Sequence, residues 1–258
     1  MTRRIPFDGI HNFRDFGDYP ARGGRLKRGM LYRAANPAQA TDADLERMAE
    51  LGLSVIVDLR RDNERERDPS RRWQGFAATV IDNDLPQSNA DAWNNWIGGE
   101  DHSVEAHRAF MADYYRAAPF QTRHIDLYRR YFHALAETEG AVLVHCTAGK
   151  DRTGIICALT HHLAGVPDEL IIEDFLLTND PERMAARLPS MRQMIADNHG
   201  GRVPPDDALI AAMGVEADYL RTAFDVMTEA HGSVDGYLEH ALGLDTASRD
   251  RIHERLLA

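Results

Sequence analysis

Two cysteines in 258 residues, Cys146 and Cys157, are too few for a disulfide framework. No run of about 18 apolar residues occurs, so no transmembrane helix is expected. The opening Met1-Thr2-Arg3-Arg4-Ile5-Pro6 is basic but lacks the apolar core of a secretory signal. The cytoplasm is the expected setting, with signal-less secretion left open. No cysteine or histidine cluster has metal-ligand spacing, so neither a metal nor another cofactor is expected. No repeat of about 20 to 50 residues and no low-complexity linker divides the chain, which reads as one domain over residues 1–258. Acidic residues outnumber basic ones, 41 to 30, for a net charge of −11. That balance argues against nucleic acid as a partner and against stable membrane insertion. It leaves the oligomeric state open.

One stretch stands out: His145-Cys146-Thr147-Ala148-Gly149-Lys150-Asp151-Arg152-Thr153-Gly154. Ala141-Val142-Leu143-Val144 before it reads as a buried strand, and Thr153 to Leu163 after it as a buried helix. The loop between them lies at a helix start, where backbone N–H groups lack intrahelical partners and the dipole favours negative charge. A free thiol titrates near ~8.5, and amide donors with a guanidinium nearby favour its anion. The same donors suit the three non-bridging oxygens of a phosphoryl group, and Arg152 can hold two of them at once. Thr147, Ala148, Gly149, Lys150 and Thr153 are candidate substrate-binding residues. Thr153 is placed to hydrogen-bond the sulfur. The chemistry implied is covalent: phosphoryl transfer to Cys146, then to water.

The remaining elements read as alternating helices and strands. Thr41-Asp42-Ala43-Asp44 is an N-cap opening a helix to about Leu51, and Leu53 to Asp58 is a β-branched strand. Residues 10–16 and 30–33 are extended, with a turn at Gly23-Gly24 between them. Phe76 to Ile81 reads as a further strand, followed by a polar segment to about His102. Helices are expected over 104–117, 121–137, Pro167 to about Thr178, Pro181 to about Asn198, a short stretch after Pro204-Pro205, and 215–231, 233–242 and 245–257. This succession implies an α/β fold with a mostly parallel sheet flanked by helices. Ligands of such sheets gather beyond the carboxyl ends of the strands. Arg60, two residues past Asp58, is therefore an ion-pair organiser or a substrate contact. The rest of the charged run from Arg60 to Arg72 reads as a solvated face. Cys157 falls well inside a helix and reads as core. Arg22, Arg25, Lys27, Arg28 and Arg33 form a basic stretch, either a solvated face or a steering patch for an anionic substrate.

The loop resembles the C-x5-R signature of cysteine-dependent phosphatases. Asn12-Phe13-Arg14-Asp15, Leu31-Tyr32-Arg33-Ala34, Asp58-Leu59-Arg60 and Gly232-Ser233-Val234-Asp235-Gly236-Tyr237-Leu238 extend the likeness to about residues 8–257. They resemble the bacterial PtpB-type tyrosine/serine protein phosphatases. The resemblance implies a tyrosine-phosphatase-like fold in which C-terminal helices, here residues 180–212, serve as a candidate lid. It also implies a general acid. Asp84, in the loop after a predicted strand, is the first candidate, with Asp82 two residues away. Asp151, inside the signature loop, is the second; it could instead cap the helix. His145 is expected to point away from the phosphate. Lys150 resembles the lysine with which phosphoinositide phosphatases contact extra phosphates. The expected activity is that of a protein tyrosine phosphatase, extending to dual specificity, on a phosphorylated protein. A phosphoinositide or inositol phosphate phosphatase is the alternative, and a catalytically silent phosphate-binding module is the alternative from another class.

Overall fold

The computed structural model describes residues 3–86, 96–97, 99 and 101–258. Five strands form the central sheet: β1 (Arg14–Asp15), β4 (Leu31–Ala34), β5 (Leu53–Asp58), β6 (Thr79–Ile81) and β7 (Ala141–His145), in the order β1-β4-β7-β5-β6. Only β1 runs antiparallel to its neighbour; the other pairings are parallel. A separate hairpin joins β2 (Pro20–Ala21) and β3 (Gly24–Arg25) around the predicted turn. The strand expected over residues 76–81 is shorter, because only Thr79–Ile81 pairs with β5.

All five residues of β7 are buried, as an apolar run in a sheet covered on both faces must be. Its alternation sorts them: Val142 and Val144 join one core, Ala141 and Leu143 the other. The first core is roofed by α3 (Val104–Ala117), α4 (Thr122–Glu137), α5 (Asp151–Ala164), α6 (Asp168–Leu176), α9 (Ala217–His231), α10 (Val234–His240) and α11 (Thr246–Leu256). The second lies under α1 (Asp42–Ala49) and the N-terminal segment. Thr41 and Asp44 close α1 with a reciprocal capping box. The predicted helix at residue 181 is α7 (Pro181–Asn198), and α8 (Asp206–Met213) follows Pro204-Pro205. Those two share a small third cluster with Trp96 and Ile97. Part of the polar segment, residues 87–95, lies outside the described residues.

Register decides where the chemistry sits. Ala34 and Asp58 both pair with His145, so β4, β5 and β7 end at one level. The chain leaving each strand, at Ala35-Asn36, Leu59-Arg60 and Cys146, enters one crevice. The basic stretch loses one member: Arg33, on β4 beside the central strand, is fully buried and belongs to no surface patch.

Candidate active site

Cys146 follows the last residue of β7, and Arg152 is the second residue of α5. Between them the backbone carbonyls are tied outward. His145 O accepts from Leu59 N at 2.9 Å. Thr147 O accepts from Asn36 N at 3.2 Å and from Asn36 Nδ2 at 3.3 Å. Asn12 Nδ2 donates to Gly149 O at 2.8 Å and Ala148 O at 3.4 Å, and Arg33 Nη2 donates to Gly149 O at 3.2 Å. The N–H groups of Thr147, Ala148, Gly149 and Lys150 meet no acceptor among the described residues. Successive amides freed in this way form an anion-binding nest. Gly149 has φ +66°, and a Cβ there would come within 2.3 Å of the Ala34 carbonyl. No other residue fits that turn without moving β4.

The guanidinium of Arg152 is held by a residue from the charged run on α2 (Asp62–Arg67). Its Nη1 and Nη2 donate to Glu64 Oε2 and Oε1 at 2.6 and 2.8 Å, and Nη1 also reaches Leu59 O at 3.1 Å. Thr147 Oγ1 donates to the same carboxylate. Glu64 is only 6% exposed, so its charge needs this pairing. Burial would raise its pKa, but Arg152 drives it well below the usual carboxylate range. Burial opposes the charge on Arg152 too, and Glu64 outweighs it. Among the described residues the Arg152 Nε makes no hydrogen bond, while Nη2 also lies 3.4 Å from Thr147 Oγ1.

Behind the loop lies a buried triad. Asp174 on α6 accepts from Arg33 Nη1 at 2.9 Å and Arg14 Nε at 3.4 Å. Arg14 Nη1 then donates to Asn12 Oδ1 at 2.6 Å. Asn12 pays for this placement with a left-handed backbone, φ +57°. Burial disfavours the Asp174 anion, yet Arg14 and Arg33 hold its pKa at about 2.

The other predicted residues are placed as follows. Arg60 is 1% exposed and turned to Asp58, with Nε and Nη2 donating at 2.9 and 2.7 Å. Its Nη1 takes Asp68 O, so it is a buried organiser and presents nothing to a substrate. Lys150 is also turned away: Nζ donates to Gly214 O at 3.0 Å and to Ala212 O, capping the end of α8. The carbonyls a helix leaves unpaired at its C-terminus are natural partners for an ammonium. Thr153 Oγ1 is buried without a hydrogen-bond partner, so its bond to the sulfur is not made in this structure. Asp151 accepts from Tyr115 Oη at 2.9 Å and lies 3.6 Å from Lys150 Nζ. Its side chain is 20% exposed, whereas that of Asp84 is 78% exposed and paired with Arg65. His145 is buried, and desolvation lowers its pKa to about 4. Cys157 lies in the core, where burial pushes its thiol up to about 12. His161 is buried with Nε2 on Phe16 O, while His162 is half-buried beside Asp235, as adjacent helical residues require.

Glu64, Asn12, Arg14 and Asp174 were not singled out by their chemistry in the sequence, and Arg33 was read only as part of a basic stretch. Glu64 is hidden in a run of mixed charge. Asp174 did carry a signal, being an acid on the Ile171–Phe175–Thr178 stripe of a buried helix face. Tyr114 was also missed; burial raises its pKa, and Arg152, Asp151 and Cys146 all act on it.

The loop thus sets a cysteine and a clamped arginine beside amides that have no partner among the described residues, donors suited to an oxyanion. A profile described as the tyrosine phosphatase family matches residues 5–258. A provisionally named tyrosine-protein phosphatase of Cupriavidus necator is 32% identical, over 94% of this chain and 85% of its own length. A triple specificity protein phosphatase PtpB of Mycobacterium tuberculosis is 29% identical over 99% of both chains. The crystal structure of TpbA from P. aeruginosa is 20% identical, covers 80% of this chain and 94% of that one, and has a TM-score of 0.34. The chain belongs to the tyrosine phosphatase family and is an enzyme, a protein tyrosine phosphatase. Among the described residues no helix is long and apolar enough to cross a membrane.

Proposed function

We propose that the chain hydrolyses phosphotyrosine in proteins, and phosphoserine or phosphothreonine as well, through a phosphocysteine on Cys146. The unpaired amides of Thr147 to Lys150 carry this reading, since they can offer an anion cradle next to the thiol. Sγ attacks phosphorus and the phosphorus–oxygen ester bond breaks. Arg152, steadied by Glu64, takes equatorial oxygens with the amides. Water then attacks the phosphocysteine and releases inorganic phosphate. The name of the M. tuberculosis relative, triple specificity, supports the wider substrate range.

The departing oxygen needs a proton. Asp151 is the candidate the geometry favours, because it belongs to the loop and stays partly shielded, with Tyr115 fixing one oxygen. Asp84, exposed and paired with Arg65, is the alternative. Phosphoinositides rank behind phosphoproteins, since the ammonium of Lys150 is spent on Ala212 and Gly214. That same contact, with the separate cluster of α7 and α8, supports residues 180–212 as a lid over a single domain. The cytoplasm is the setting we assign.

Rapid quenching with a 32P-labelled phosphotyrosine peptide tests the reading. Label should appear on the protein and vanish in Cys146→Ser, together with turnover. Undiminished hydrolysis by Cys146→Ser would overturn it. Asp151→Asn should flatten the basic limb of the pH–rate profile and slow turnover by roughly 100-fold or more. The same change produced by Asp84→Asn instead would move the acid to the other loop.

A further inference from the structure

A cavity of about 740 Å3 lies between β1, the β2–β3 hairpin and the turn from α6 to α7. Its walls contain neither Cys146 nor Arg152. That volume is typical of a small-molecule site. Five arginines line it, Arg3, Arg4, Arg14, Arg25 and Arg183, against Asp18, Glu173 and Asp180. A cationic pocket is unexpected in a chain of net charge −11.

The carboxylates do not neutralise it evenly. Asp18 takes Arg25 at 2.7 Å, and Asp180 lies 3.6 Å from Arg4. Glu173 is exposed. Arg3 bonds to the carbonyls of Gly17 and Asp18 and lies 3.5 Å over the Tyr19 ring. Arg183 is 8% exposed; its guanidinium donates to the carbonyls of Thr178 and Met213, and its backbone N–H to Asp180 Oδ1 at 2.6 Å. Among the described residues neither the Arg3 nor the Arg183 guanidinium forms an ion pair with a carboxylate. Moreover, the Arg183 Nε is buried with no acceptor, a costly state for a charged donor. The surroundings are positive enough that His11 is held below its usual pKa by burial and by Arg187, Arg183 and Arg4.

We propose that this cavity is a second anion site that binds a small organic phosphate. Its phosphoryl group lies on the Arg4–Arg183 side and its apolar body against Tyr19 and Leu177. A phosphoryl group brings three acceptor oxygens and nearly two charges, enough for two guanidinium forks, whereas a carboxylate would fill one. Two of the wall residues reach the signature loop, because Arg14 holds Asn12 and Asn12 holds Ala148 and Gly149. The ligand would therefore sit one hydrogen-bonded step behind the catalytic loop.

Calorimetric titration of the full chain with phenylphosphonate tests this without measuring activity. Two sites are expected in the wild type. Arg152→Ala should remove the site at the signature loop and leave the other. The double variant Arg4→Gln/Arg183→Met should weaken the second site about tenfold or more and leave the first. Leu177→Trp, which fills the cavity from a partly exposed position without changing charge, should do the same. The proposal fails if Arg152→Ala abolishes all binding, or if both cavity variants keep two sites of unchanged affinity. A single site insensitive to Arg152→Ala and lost in the cavity variants would uphold it while removing the phosphate site at the loop.

Discussion

The two sides of the signature loop are built on different principles. On the cleft side a few residues close in sequence, Cys146 to Arg152, meet one carboxylate, Glu64, and Thr147, Ala148, Asp151 and Arg152 stay partly open to solvent. On the far side Asn12, Arg14, Arg33 and Asp174 come from three distant segments and are almost sealed. The cleft side needs donors free to meet a substrate, so its amides are left unpaired. The far side spends its donors on the loop's carbonyls, and in doing so it turns those amides inward. Reactivity on one face is thus the consequence of saturation on the other.

Among single substitutions, the largest effect should come from breaking the sealed side. Asp174→Asn leaves two buried guanidinium groups without their anion. A loss of about 3–5 kcal/mol is expected in urea unfolding at pH 7. A loss under about 1 kcal/mol would show that the triad does not hold the loop. Glu64→Gln breaks the open side. It frees the Arg152 guanidinium to drift, and drift of that order costs roughly 100-fold in turnover. Stability should suffer less than in Asp174→Asn; an equal loss would erase the distinction between the two sides.

Acid titration probes the layers around both. Burial lowers the imidazoles of His107, His124 and His145 to about 4, about 3 and about 4. Each stays neutral in the fold while the unfolded chain takes up a proton below about 6.5. The unfolded state therefore binds more protons in that window, and stability is full above it. It should fall by about 1.4 kcal/mol per pH unit per histidine between pH 6.5 and 4. Urea midpoints that stay level from pH 7 to 5 would mean that these rings accept protons without unfolding. The smallest effect is expected for Asn12→Ala, which removes the link between the two sides. A loss of about 1 kcal/mol in stability should accompany a measurable fall in kcat with KM little changed. Unchanged kcat would mean that the loop keeps its shape without the amide.

Much of the fold was legible because its signals are local. β7 is apolar from Ala141 to Val144, and β5 is rich in β-branched residues with only Ser54 interrupting it before Asp58. α1 announces itself with Thr41 and Asp44, and the starts of α6, α7 and α8 with Pro167, Pro181 and Pro205. Arg33 was misread for the opposite reason: a charge in sequence looks the same whether it faces water or an aspartate. Lys150 escaped similarly, since the carbonyls of Ala212 and Gly214 become its partners only in the folded chain, whereas Arg60 takes the ion-pair role, one of its two expected ones, with Asp58.

By itself the order of residues placed Cys146 between a strand and a helix with an arginine six positions on, because strand, glycine turn and helix start are short-range properties. Only the tertiary structure decided which charges serve that loop. Glu64 is 88 residues from Arg152, and Asp174 is 141 from Arg33. A buried ion pair is chosen by which strands end side by side, and that is a matter of sheet register, which no local pattern of side chains encodes.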